Sequence, residues 1–363
     1  ATATTGNMSD SGNVTVAGTS SFTTSANNAT ITLNNTNALT GAVSLNTTGS
    51  SANATLDNGT TALNIGATSV GGRLTLTTGN NITDSGTVTS RTLIANTDAN
   101  NGSITLDNLA VEFGINLNTH GTGNATVVNE GRILFGEHGT TVGGNLSVTA
   151  TTLNIYDNNA GSVTVAGTSS FTTSANNATI RLDDTDHAFT GAVTITTNDD
   201  SGTDADATID NGTTALILAA STIDGDLTIT SGHASGITDS GTLTVGGNLA
   251  AITDANNGVI SLDQLAVDGT VALTTNGSGN ATVVNDAALN LAASTVGGAL
   301  SATATTGNMS DSGNVTVAGT SSFTTSANNA TIVLNNTNAL TGAVTITTND
   351  DSGTDADVTI DNG

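Results

Sequence analysis

Residues 1–31, ATATTGNMSDSGNVTVAGTSSFTTSANNATI, return letter for letter at 302–332, an offset of 301 residues. A fold that tolerates such copying has to be one that a further unit can extend, so repeat architectures come ahead of a single closed globule. A shorter match, VTVAGTSSFTTSANNATI, lies between the two copies at 163–180. Measured on Phe22, Phe171 and Phe323 the spacings are 149 and 152, so the long period is two diverged sequence units of about 150 residues. Other phrases keep the same order: TDANNG at 97–102 and 253–258, GNATVVN at 123–129 and 279–285, DNGTTAL at 57–63 and 210–216. The whole chain, 1–363, reads as one continuous segment with sequence units at about 12–160, 161–312 and 313–363, the last partial, and with 1–11 closing a preceding unit. It starts and stops inside repeated phrases and is expected to be an excerpt of a longer protein.

Within each unit the finer signal is a glycine followed by an alternating strand, as in GNVTV at 12, GRLTL at 72, GNLSV at 144, GAVTI at 191 and GTLTV at 241. Strand side chains alternate between faces, so Val193 and Ile195 are expected to point inward while Thr194 and Thr196 point out. The composition supports strands and corners and nothing else. Thr, Val and Ile favour a pleated backbone, Gly, Asn and Asp favour turns, and the aromatics are six Phe and Tyr156, with no Pro, Trp or Lys. Starts of these strands lie about 12 to 34 residues apart. Such irregular spacing fits an all-β parallel β-helix, a β-solenoid with coils of roughly 20 to 30 residues and insertions at the turns. A string of immunoglobulin-like sandwiches would need more regular turn signals and a core Trp, and a disordered linker has no reason to alternate aliphatic residues.

The formal charge of −26 comes from 27 Asp and three Glu against Arg73, Arg91, Arg132 and Arg181, which look scattered along the chain. A surface that acidic repels phosphate backbones and anionic lipid heads, so neither nucleic acid nor a membrane is an expected partner. Insertion into a membrane is not expected either, because no apolar run approaches the roughly 18 residues that a spanning helix needs. Cations are the natural small partners. NDDSGTDAD at 198–206 gathers Asp199, Asp200, Asp204 and Asp206, and the phrase recurs with Asp350, Asp351, Asp355 and Asp357. Oxygen-only ligands on a Gly-containing loop suit calcium. The equivalent stretch 46–54 carries no acid, so the fold itself is expected to require no cofactor.

Catalytic chemistry is thin. Glycan-cleaving β-helices need matched acids beside basic groups, and Ser here has no partnered His and acid in a recognisable motif. The chain is therefore not expected to be an enzyme. Asp84 and Asp239 in ITDSG, Asp57 and Asp210 in DNG, and Asp98 and Asp254 in TDANNG read as turn residues capping backbone amides. His120, His138, His187 and His233 show no metal-ligand spacing. Phe22, Phe171 and Phe323 are expected to fill a wide point of the core. Asn-X-Ser/Thr triplets at Asn28, Asn58, Asn124, Asn177, Asn211, Asn280 and Asn329 arise from an Asn- and Thr-rich composition, and glycosylation depends on the export route.

The phrases GNLSVTATT, GNVTVAGTSSFT, NNITDSGTVT and GITDSGTLTVGGNL resemble the repeats of filamentous-haemagglutinin-like exoproteins, large adhesins exported by two-partner secretion, and of similar giant β-strand-repeat surface proteins. The resemblance implies a right-handed parallel β-helix, an extracellular place on a bacterial surface, and a role in attachment, cell–cell contact or biofilm. On that reading the segment is the stalk of an adhesin whose ligands on host or neighbouring cells bind elsewhere in the parent chain. The alternative is a self-assembling filament or sheath held by homotypic end-to-end or lateral contacts.

Overall fold

The computed structural model describes residues 1–158, 161–198, 205–350 and 356–363. The chain divides into two compact units, Ala1–Ala175 and Asn176–Gly363, and among the described residues neither contains a helix. Each is a parallel β-solenoid, in which most short strands pair with the strand one coil earlier and the strand one coil later.

Register shows how the coils stack. In the first unit Ile31, Ala54, Leu74, Leu93, Ile115 and Phe135 pair in turn and form one buried column. The second unit repeats it with Ile180, Ala207, Leu227, Leu249, Val271 and Leu291. The step from coil to coil runs from 19 residues, Leu74 to Leu93, to 27, Ile180 to Ala207. Irregular spacing in the sequence thus combines variation in turn length with Gly-strand phrases that fall on different faces of a coil, around a constant stack. Each aliphatic side chain in these columns contributes about 1.5–3 kcal/mol by leaving water.

The predicted alternation holds. In the strand Val193–Asn198, Val193 and Ile195 are 0% exposed while Thr194 and Thr196 are half-buried on the outer face. The same five letters, VTITT, occur at 344–348, where Val344 and Ile346 are 38% and 40% exposed. Among the described residues that strand pairs only with Ser321–Asn328 of the coil before it, so full burial of an inward residue requires a coil on both sides. Phe171 and Phe323 are fully buried and Phe22 nearly so, as expected of core fillers, and Phe171 meets Phe135 edge to face at 6.3 Å.

Two polar devices close the corners. Thr97 and Thr253 turn inward at strand ends, and their hydroxyls donate to the carbonyls of Gly102 and Gly258, five residues on, at 2.8 and 2.9 Å. Buried Asn side chains do the work of a strand where the chain bends. Asn211 Oδ1 accepts from the Phe189 N–H at 2.7 Å, while its Nδ2 donates to the carbonyls of Phe189 at 3.1 Å and Ala215 at 2.8 Å. Asn58, Asn129 and Asn285 repeat the arrangement on Leu39, Val111 and Val267. A side-chain amide offers one acceptor and two donors, which is what a coil edge leaves unpaired. Asn58 and Asn211 are wholly buried, so those two triplets cannot receive a glycan in the folded chain.

Candidate functional site

The expected calcium residues fall mostly outside the described residues: Asp199, Asp200, Asp204, Asp351 and Asp355. Of the rest, the Asp206 carboxylate accepts from the Asp226 N–H at 2.8 Å and the Asp357 carbonyl accepts from the Ile332 N–H, while Asp350 is exposed. Among the described residues no three His, Asp or Glu come together as a metal cluster. Asp57 and Asp210 cap their own turns, each accepting from the glycine N–H two residues on at 2.8 Å. Asp84 and Asp239 differ, since their carboxylates accept from amides one coil away, of Asp107 and Asn108 and of Asp263 and Gln264.

Burial pushes Asp84, Asp210 and Asp239 above the usual carboxylate range, more than the amide hydrogen bonds pull them down. Burial also acts upward on Asp10, but bonds from Asn34, Asn35 and Asn37 outweigh it and hold that group low. The raised groups bind protons more tightly folded than unfolded, so the stability they contribute is complete below the unfolded value near 3.9 and is lost as pH rises through their folded values. Melting temperature is therefore expected to rise as pH falls from 7 towards the carboxylate range, and Asp84→Asn with Asp239→Asn should flatten that rise. A melt that falls steadily over the same interval would contradict the assignment.

The chemically distinctive residues gather on one face of the first unit. Arg73, Arg91, Phe113, Arg132 and Tyr156 follow one another at steps of 18, 22, 19 and 24 residues, close to one coil each. The Cα pairings Arg73–Thr92, Gly114–Leu134 and Leu134–Tyr156, with the Phe113 N–H donating to the Arg91 carbonyl at 2.8 Å, put them on successive coils. The guanidinium carbons of Arg91 and Arg132 lie 4.7 and 5.3 Å from the Phe113 ring centre. Arg132 also donates from Nη1 to the Tyr156 hydroxyl and from Nε to the Glu112 carbonyl, both at 2.9 Å. So the Arg residues are not scattered: three of the four stand together, and linear distance concealed it.

The second unit occupies the same positions with different chemistry. Backbone register equates Arg73 with Asp226, Arg91 with Gly247, Phe113 with Gly269, Arg132 with Ala288 and Tyr156 with Ser310. At Gly269 a Cβ would run into the Gly247 carbonyl, so that corner is closed to side chains. In the first unit strands continue through the equivalent corners, as Thr68–Thr78 and Val88–Thr97, with a register shift between Val70 and Arg73 that makes room. A two-residue-longer connection, Phe135 to Thr140 against Leu291 to Ser294, adds Glu137 and His138.

This face holds two adjoining clefts that share Thr92 and His138. One, about 390 Å³, is lined by Arg73 and Arg91 with Ser50, Ser51 and Asn53. The other, about 220 Å³, has Phe113 and Leu134 as apolar walls and Asn116 and Asn158 at its base. Asn116 is buried beneath the longer loop, its Nδ2 donating to the carbonyls of Gly136 and Gly139 at 3.1 and 3.0 Å. The Oδ1 atoms of both Asn116 and Asn158 are buried without a partner.

Sequence comparison divides the chain in the same spirit as the coils. A family described as repeats of unknown function (DUF5649) matches residues 1–46, 51–120, 122–196, 204–276 and 278–347. The chain belongs to this repeat family. At coil steps of 19 to 27 residues a DUF5649 repeat of 70 to 75 residues corresponds to about three coils, and the sequence unit of about 150 residues to two such repeats. No curated protein and no solved structure matches the chain.

Proposed function

We propose that this DUF5649 segment is a structural spacer of an extracellular bacterial surface protein, the stalk of a filamentous-haemagglutinin-like adhesin that supports attachment or biofilm. The observation that supports it is the stacking itself. Buried columns continue from coil to coil with apolar inward residues throughout, and a copied block lengthens such a column without needing any new kind of contact. No catalytic group belongs to this reading. Homotypic association, end to end or lateral, is its natural extension, because coil edges and their apolar cross-sections add further strands.

Antibodies to the segment are expected to label intact, unpermeabilised cells along a projection, at a distance from the cell that grows when a repeat block is duplicated in the parent gene. Labelling that requires permeabilised cells would overturn the surface reading. Labelling whose distance ignores block number would overturn the spacer.

A further inference from the structure

We propose that the paired cleft on the first unit binds a saccharide that carries a carboxylate. Three independent features converge on that chemistry. Among the described residues the one ion pair is Arg181 with Asp183, so the exposed guanidiniums of Arg73 and Arg91 at the larger lobe have no carboxylate of their own within 4 Å. Two guanidinium forks facing open solvent are matched to a planar carboxylate, which each can hold through paired N–H···O bonds. Asn116 and Asn158 line the smaller lobe with their Oδ1 atoms buried and unpartnered just beneath it, and a buried acceptor without a donor is costly until something supplies a hydroxyl. Between them, Leu134 and the edge of the Phe113 ring, whose face the Arg91 and Arg132 guanidiniums cover, give an apolar wall of the kind the C–H face of a sugar ring packs against. Carboxylate, hydroxyl donors and a flat apolar face occur together in a uronate-type sugar.

Charge narrows the ligand further. The first unit holds nine carboxylates and three Arg, the second 21 and one, so the cleft sits on the less acidic part of the molecule. The net −26 opposes a long polyanion far more than a single acidic sugar or a short chain. The second unit has Asp226 and Gly247 where the first has Arg73 and Arg91, so one site per chain is expected. The inference does not depend on the stalk reading, since a solenoid binds the sugar or fails to whether or not it spaces cells.

Isothermal titration of the full chain tests it, with trigalacturonate as the probe beside its methyl ester, a per-O-methylated uronate that keeps the carboxylate, and inorganic sulfate. Trigalacturonate should bind once per chain. The ester and the O-methylated sugar should bind about tenfold more weakly or worse, since each loses hydrogen bonds to charged or buried groups. Arg73→Gln and Arg91→Gln should each lose about tenfold or more, Arg73→Gln with an unchanged melt and Arg91→Gln with a small drop from its lost stacking on Phe113. Asp226→Ala should bind as the parent does. Equal affinity for acid and ester, full affinity in the Arg73→Gln/Arg91→Gln double variant, or sulfate competing as well as the sugar would overturn the proposal. So would a chain that ignores the sugar but self-associates through these arginines, because the occupant would then be a second copy.

Discussion

Val193→Asp is expected to abolish the packing of its coil, with a loss of about 3–5 kcal/mol or more and a clear drop in the urea or thermal midpoint. Val193 is fully buried and its strand sits between the coils before and after it. The substitution removes roughly 1.5–3 kcal/mol of apolar burial and leaves a charge without a counter-ion in the interior. Thr194→Asp, one residue away on the outer face, should stay within about 1 kcal/mol. Equal damage from the two would mean that the inward and outward faces are wrongly assigned.

Asn211→Leu is the second large effect, and it runs against the habit of treating Leu as the safer core residue. The amide satisfies a backbone N–H and two carbonyls of neighbouring chain segments, all in the interior. Leu gains apolar burial but leaves those groups unpaired at about 1–3 kcal/mol each, so a net loss of about 3 kcal/mol is expected. Asn129→Leu should behave alike in the other unit, where the amide serves Val111 and Arg132. Chemical denaturation of both variants measures this, and a loss under about 1 kcal/mol would show that water or a local shift replaces the amide.

These two sites mark how far the sequence could be read. Val193 and Ile195 were legible because period-two alternation is a local property that survives any arrangement of the coils. Asn211 was not. A triplet rule sees Asn-Gly-Thr as a surface acceptor and carries no information about which corner faces the core. Thr97 and Thr253 were hidden for a related reason, since alternation does not say where a strand ends and the next Thr turns inward. The column of Arg73, Arg91, Phe113, Arg132 and Tyr156 could have been found by stepping along the chain at about one coil length, and the concentration of all three Glu between residues 112 and 137 was a compositional hint. The coil step of 19 to 27 residues, however, emerges only from register.

The short step between paired strands also bears on how such a chain becomes ordered. Within either unit the partner of almost any residue lies one coil upstream or downstream, so each closure draws together ends separated by about 20 residues, however long the chain grows. Closure entropy rises only with the logarithm of loop size, and here that size is fixed. The slow event is then forming the first pair of coils, after which every later coil adds to a finished edge, as in a zipper. A protein of this kind can order progressively from one end while the remainder of the chain is still unfolded, and lengthening it by duplication extends the time to completion in proportion without raising the barrier to begin.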